Sequence, residues 1–284
     1  MSTEKKSKRQ ERREKMRNQA QRSRLTMIGL IVVGAALLVF AVVLTQKKSV
    51  ENIIAVTPAS LPNANGLTLG DPNAKVAIDT FEDFQCPACK NFSESIETAI
   101  IQNLVETGKA KYTFHNYPFI DGRSTDSGGE SDQAANASMC ANEQGRFWDM
   151  KTIMYTNWNG ENQGGLSNAR LEAMAESIGL DMTAFNNCFD ANKYQNDIQA
   201  DLDLGDQMGV SGTPSVFVNG VRAGQPGYIP TYQEIAAAVE AALIAAQSIE
   251  SKSKVSRLWT SRRESLESVI KRTRRVSFLI LTRV

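Results

Sequence analysis

Residues 81–92 read FEDFQCPACKNF, with Cys86 and Cys89 two residues apart directly after an apolar, strand-like run. Such a pair can hold a metal, close a small structural disulfide or exchange disulfides with other molecules. A zinc site would need two more ligands. The available side chains, His115, Cys140 and Cys188, are scattered and offer no second paired knuckle, so no metal is expected. A structural bond across two residues would close a very small loop and restrain the unfolded chain little. The third reading has a mechanism. KVAIDTFEDF (75–84) alternates as a strand, and KNFSESIETAIIQNLVETGK (90–109) places Phe92, Ile96, Ile100 and Leu104 four apart, as on a helix ending at Gly108. Cys86 then sits at the helix start, where unpaired N–H groups and the helix dipole favour a thiolate. Pro87 suits the first turn, because its missing N–H would have no partner there. Ala88 completes the spacer, and Cys89, one turn on, is placed to attack or release a mixed disulfide on Cys86.

Outward from this motif the charge is uneven. Residues 1–24 carry ten Lys/Arg against three acids, and residues 248–284 carry ten against three, whereas 65–247 carries ten basic and twenty-four acidic residues. An acidic centre argues against a nucleic-acid partner. Between the basic start and the acidic centre runs LTMIGLIVVGAALLVFAVVLT (25–45), free of charge and long enough to cross a bilayer core of about 30 Å. A cleaved signal peptide would have a shorter apolar run ending in a small-x-small site, whereas TQKKS follows here. A buried soluble helix would show a polar stripe. The sequence therefore predicts a basic cytoplasmic arm (1–24) that stays unfolded at the inner surface and a single transmembrane helix (25–45). The positive-inside rule places everything beyond it outside the cytoplasm. That side is oxidising, and four cysteines is an even number.

Residues 46–66, with Pro58 and Pro62, read as a linker. A domain follows over 67–247. AKYTFHNYPF (110–119) gives a second strand, and about 125–209 shows helical spacing broken by Gly and Asn, as in an inserted helical segment. SGTPSVFVNGVRAGQPG (211–227) reads as a hairpin turning at Asn219–Gly220, and TYQEIAAAVEAALIAAQ (231–247) as a closing helix with a Thr231/Glu234 capping box. Phe147 and Trp148 read as core.

A strand ending F-x-D-F-x-C-P-x-C, a helical insertion and then GTPSVFVNG resembles the DsbA-like branch of the thioredoxin superfamily over about residues 67–247. The resemblance implies an α/β thioredoxin fold with a helical insertion, here preceded by a single transmembrane helix. It implies Cys86 as exposed nucleophile and Cys89 as buried resolving thiol. It makes Thr213–Pro214 a cis-proline loop beside them, whose backbone pairs with an extended substrate. It implies no cofactor. Phe84 is expected either in the core or on an apolar rim for unfolded substrates. Cys140 and Cys188 read alone as two small buried hydrophobes; the oxidising compartment and the resemblance favour a structural disulfide between them.

The sequence departs from the family in two places. Relatives often carry a buried carboxylate six residues before the first cysteine, where Thr80 stands here, with Asp79, Glu82 and Asp83 nearby and Asp79 on the opposite strand face. The spacer lacks the histidine of the most oxidising relatives. His115, the only histidine, reads as a strand residue with no orienting partner. The basic tail 248–284 fits no family element and receives no role. The expected function is a membrane-tethered, extracytoplasmic thiol:disulfide oxidoreductase acting as an oxidase on exported proteins with free thiols. A membrane partner of the DsbB or vitamin-K-epoxide-reductase type would reoxidise it. The alternatives are a reductase or isomerase, and a non-catalytic binder of extended polypeptides.

Overall fold

A computed structural model describes residues 8–50, 52–122 and 128–281. The chain divides into two compact units, Met1–Ile53 and Ile54–Val284. The first unit is one helix, α1 (Lys8–Val50), and its Gln10–Val42 stretch is long and apolar enough to cross a membrane. The helix starts well before the apolar run, which corrects the expectation of an unfolded arm over 8–24; residues 1–7 of that arm lie outside the described residues. Lys, Arg, Gln, Glu and Met dominate 8–22, and these are good helix formers that an adjoining helix can recruit without a new nucleus. For the same reason α1 runs on to Val50, into the expected linker.

The second unit is built on a five-stranded sheet of order β1-β3-β2-β4-β5. Its strands are β1 (Thr68–Leu69), β2 (Ala77–Glu82), β3 (Lys111–Asn116), β4 (Ser215–Val218) and β5 (Val221–Arg222). The central β2 runs parallel to β3 and antiparallel to β4. A parallel neighbour requires a crossover, supplied by α2 (Pro87–Phe92), which continues through π-type turns at Ser93–Glu97 and Ile101–Val105 around a short α3 (Thr98–Ile100). The crossover ends at Gly108, whose positive φ of 73° suits a glycine after a helix. Asn219 and Gly220 both take positive φ, 49° and 78°, as a two-residue hairpin turn requires.

Among the described residues between β3 and β4 lie five helices: α4 (Glu130–Asn142), α5 (Phe147–Thr156), α6 (Asn168–Ser177), α7 (Met182–Asp190) and α8 (Gln195–Gln207). Cys140 of α4 and Cys188 of α7 form a disulfide with an S–S distance of 2.01 Å. Strand alternation gives the sheet two differently filled faces. On one, Phe81, Tyr117, Leu202, Val210 and Phe217 form a buried cluster beneath α8. Gly205 of α8 lies so close that an added Cβ would come within 2.5 Å of the Tyr117 ring. The other face carries Ile78, Thr80 and Glu82 of β2 with Tyr112 and Phe114 of β3, all buried. Phe147 and Trp148 of α5 pack at a tilt against Phe114 and Tyr112, centroids 5.1 Å and 6.1 Å apart, and belong to the core.

The last helix, α9 (Tyr232–Leu281), opens on the expected capping box. Glu234 accepts from Thr231 N at 2.7 Å and donates its own N–H to Thr231 Oγ1 at 3.3 Å. It does not stop at 247, because no Gly or Pro occurs from 231 to 284 to end it. Lys109 pairs with Glu240 at 2.6 Å and Lys75 with Glu250, and the described side chains beyond Glu250 are exposed.

Candidate active site

β2 ends at Glu82, and the four residues after it deliver Cys86 to the start of α2. Asp83 holds that loop. One oxygen accepts from Gln85 N at 2.8 Å and Ser131 Oγ at 2.7 Å, the other from Phe119 N and Ile120 N at 3.0 Å. Burial nevertheless pushes its carboxyl up to about 6 against these donors, and the charge of Cys86 adds to the rise. Gln85 is fully buried and ties the loop to the helical segment. Its Nε2 donates to Asp121 at 2.8 Å and Ser131 at 2.9 Å, its Oε1 accepts from Asn162 N at 2.6 Å, and its carbonyl accepts from Trp158 Nε1 at 2.7 Å. The cysteine is thus positioned by a rigid shell rather than by a free loop.

Cys86 occupies the N-cap of α2 in extended conformation, Pro87 is the first helical residue, and Cys86 O accepts from Lys90 N at 3.1 Å. Both thiols are free, so this is the reduced form. Cys86 keeps 6% of its surface exposed and Cys89 none. The nucleophile is therefore more enclosed than expected, although Pro87 beside it is exposed. The Thr213–Pro214 segment contains a cis peptide bond, and Cys86 Sγ lies 3.3 Å from Thr213 O. The Thr213 hydroxyl is buried and has no hydrogen-bond partner among the described residues, so it can donate to an ionised sulfur. Ala88 is half-buried.

The two thiols are pushed in opposite directions. Cys86 is lowered to about 6, first by the hydrogen bond from the Cys89 thiol, then, against burial, by Thr213 and the backbone N–H groups of Cys89 and Ala88. These last are the free donors of the first helical turn. Cys89 is pushed well up by burial, by its hydrogen bond to Cys86 and by the charge of Glu82. At neutral pH the pair is one thiolate and one thiol, the form needed to attack a disulfide and then resolve the product.

Behind Cys89 lies a buried polar cluster that the sequence did not show. Glu82 shares Thr80's strand face, two residues closer to the cysteines, and that same-face relation was the available signal. Its Oε2 accepts from Tyr155 OH at 2.9 Å, and its Oε1 lies 3.3 Å from Tyr112 OH and 3.7 Å from Lys151 Nζ. Burial, with Glu97 adding, drives Glu82 up to about 7 against the pull of Lys151, Tyr155 and Tyr112. Thr80 donates to Tyr112 OH at 2.9 Å. Lys151, Glu97 and Tyr155 come from α5 and the crossover, too far along the chain for local pattern to join them to the cysteines.

Two other expectations change. Phe84 is 1% exposed, stacks on Phe114 and packs at a tilt against Tyr155, with centroids 5.4 Å and 5.5 Å away, so it is core and not part of a substrate rim. His115 does have orienting partners, Asp201 at Nδ1 (2.9 Å) and Asp79 at Nε2 (3.3 Å), but it lies on the Phe81 face of the sheet. It cannot serve Cys86 as a base. No group of three metal-binding side chains occurs among the described residues.

The thioredoxin family profile matches residues 63–241. The probable disulfide bond formation protein D of Bacillus anthracis is 25% identical over 193 residues, covering 67% of this chain and 82% of that protein. An Na(+)/H(+) antiporter NhaA 3 of Salinispora tropica is 32% identical over 178 residues, and the chain spans 25% of its length. The oxidised crystal structure of BdbD from Bacillus subtilis superposes with a TM-score of 0.55 at 25% identity, covering 66% of this chain and 98% of that one. The asymmetric thiol pair at the start of α2, set against Thr213 and Pro214 on this fold, agrees with those matches: the chain belongs to the thioredoxin family, on its DsbA-like branch of thiol:disulfide oxidoreductases.

Proposed function

We propose that this chain is a membrane-tethered thiol:disulfide oxidoreductase whose catalytic domain works outside the cytoplasm, donating disulfides to exported proteins through Cys86 and Cys89. The observation that carries the chemistry is the opposed pair of thiols, a lowered Cys86 against Thr213 and a raised, enclosed Cys89. The tether rests on the uncharged run that begins at Leu25 within α1, and the orientation on the basic residues before it.

In the oxidised form a substrate thiolate attacks Cys86 Sγ. The Cys86–Cys89 bond breaks, its electron pair goes to Cys89, and Cys89 takes up a proton. A second substrate thiolate then attacks the substrate sulfur of the mixed disulfide, which leaves as a new substrate disulfide while Cys86 departs as a thiolate. The depressed Cys86 makes that departure easy. Glu82 is the proton partner of Cys89. Its charge reaches that sulfur, and its value of about 7 suits it both to give the proton in this direction and to take it back on reoxidation. It stands in for the acid absent at Thr80. Thr213 and Pro214 would hold an extended client segment beside Cys86. A quinone-linked membrane protein of the DsbB or vitamin-K-epoxide-reductase type would accept the electrons.

A reductase is the second reading. Cys86 at about 6 lies nearer the ~7 of thioredoxin than the ~3.5 of DsbA. The test of the reading as a whole is disulfide transfer from the oxidised full chain, in detergent, to a reduced unfolded protein. Transfer that is lost in Cys86→Ser supports the oxidoreductase. Client binding and protection that persist unchanged in Cys86→Ser would favour a non-catalytic binder of extended chains instead.

A further inference from the structure

Three ionisable side chains meet in the buried layer behind Cys89: Glu82 of β2, Glu97 of the crossover and Lys151 of α5, exposed by 1%, 5% and 2%. The rings of Phe114, Trp148 and Tyr155 surround Lys151 Nζ, with centroids 5.2 Å, 5.6 Å and 5.5 Å away. Two carboxylates and one ammonium leave the group one negative charge in excess. Burying an uncompensated charge is costly, and a single bound proton removes the excess. The contacts decide where that proton sits. Both oxygens of Glu97 bind Lys151 Nζ directly, and Ser93 Oγ donates to Glu97 Oε2 at 2.7 Å. Glu82 is left with the longer approach of 3.7 Å to the ammonium. Tyr112 has one hydroxyl hydrogen, and Glu97 Oε1 at 2.7 Å is its nearer acceptor. Tyr112 OH reaches Glu82 Oε1 only at the longer 3.3 Å, so of the two carboxylates Glu97 has the closer donors.

We infer that Lys151 and Glu97 are positioning residues for catalysis: their ion pair keeps the cluster's one exchangeable proton on Glu82, facing Cys89, so that the inserted helix α5 controls proton supply to the thiol pair. The inference rests on the reading of Glu82 as the proton partner of Cys89. Neither Lys151 nor Glu97 touches the reacting sulfurs. They act by giving Glu97 a full-time cation and leaving Glu82 as the member that gains and loses the proton.

The two partners make opposite predictions. In Glu97→Gln the ammonium has Glu82 as its remaining carboxylate, which draws the proton off. In Lys151→Met the cation is gone and Glu97 remains, which holds the proton on. The experiment is the rate of reduction of the oxidised full chain, in detergent, by dithiothreitol as a function of pH. The inflection that disappears in Glu82→Gln should move to lower pH in Glu97→Gln and to higher pH in Lys151→Met, each by about 1 to 3 pH units, as for a carboxyl gaining or losing a close opposite charge. A merely structural role would lower stability in both variants without moving the inflection in opposite directions. If either variant fails to fold, the wild-type chain labelled with 13C-glutamate decides. Reduced-minus-oxidised infrared difference spectra at neutral pH should contain a protonated-carboxyl band from glutamate. Absence of that band, or inflections that stay fixed or move together, overturns the inference. If Glu82→Gln keeps the inflection, the proton-partner reading falls as well, while loss of activity in Cys86→Ser would still mark the chemistry as thiol exchange.

Discussion

Replacing Cys89 with alanine isolates the leading cause of the Cys86 thiolate. The first influence holding Cys86 at about 6 is the hydrogen bond from the Cys89 thiol, ahead of Thr213 and the helix N–H groups. A hydrogen bond to a charged group contributes about 1.5–3 kcal/mol, and each pKa unit corresponds to about 1.4 kcal/mol. Losing this donor should therefore raise Cys86 by about 1 to 2 units, to roughly 7–8. At pH 7 the ionised fraction would fall from about nine-tenths to a half or less. Cys89→Ser keeps a donor at the same place and should stay close to the wild-type value. The assay is the pH dependence of Cys86 alkylation by iodoacetamide, checked by thiolate absorbance; in both variants only Cys86 titrates, because Cys140 and Cys188 are bonded to each other. If Cys86 in Cys89→Ala still titrates at about 6, the field at the start of α2 carries the effect and the hydrogen-bond argument is wrong.

Other consequences can be checked on the same material. The double variant Cys140→Ser/Cys188→Ser opens a loop with a sequence separation of 48 and should lose about 4 kcal/mol of domain stability in denaturant titrations, while keeping its thiol exchange. His115 is raised from 6.5 to about 9, with its burial outweighed by Asp201 and Asp79. A raised value means that the stabilisation is complete below about pH 6.5 and is lost as pH climbs through about 9; the amount is on the order of 3 kcal/mol, and His115→Gln should flatten stability measured across that window. Phe84→Ala should destabilise the domain by about 3–5 kcal/mol through the cavity it leaves, with little change in the KM for a peptide client at temperatures where it stays folded. A raised KM with unchanged stability would restore Phe84 to the substrate surface.

The contrast between what was legible and what was not follows the range of the interactions. Cys86 and Pro87 could be assigned because helix-start chemistry is decided within four residues. The Asn219–Gly220 turn and the Thr231–Glu234 box are equally local, and both formed as the sequence indicated. Phe84 was ambiguous, since its partners Phe114 and Tyr155 lie on other elements. The Glu82, Glu97 and Lys151 cluster was invisible for the same reason: a lysine within FWDMKTIMYT reads as solvated until α5 packs on the sheet. The start of α1 differs from the expectation of an unfolded basic arm, and the end of α9 from a closing helix that stops at 247. In 8–24 and 248–281 the charged residues are good helix formers with no Gly or Pro among them, and each segment adjoins a helix already nucleated.

The central claim is that Cys86 and Cys89 form a redox couple poised to give up its disulfide. The most direct measurement is the reduction potential of that pair in the full chain, equilibrated in detergent with glutathione buffers. A thiolate stabilised to about 6 favours the reduced form. The account therefore predicts one reversible two-electron transition, lost in Cys86→Ser, at a potential clearly above the ~ −270 mV of thioredoxin and short of the ~ −120 mV of DsbA. A potential at or below ~ −270 mV would make the protein a reductase and contradict disulfide donation. The absence of any reversible transition assigned to this pair would contradict the account as a whole.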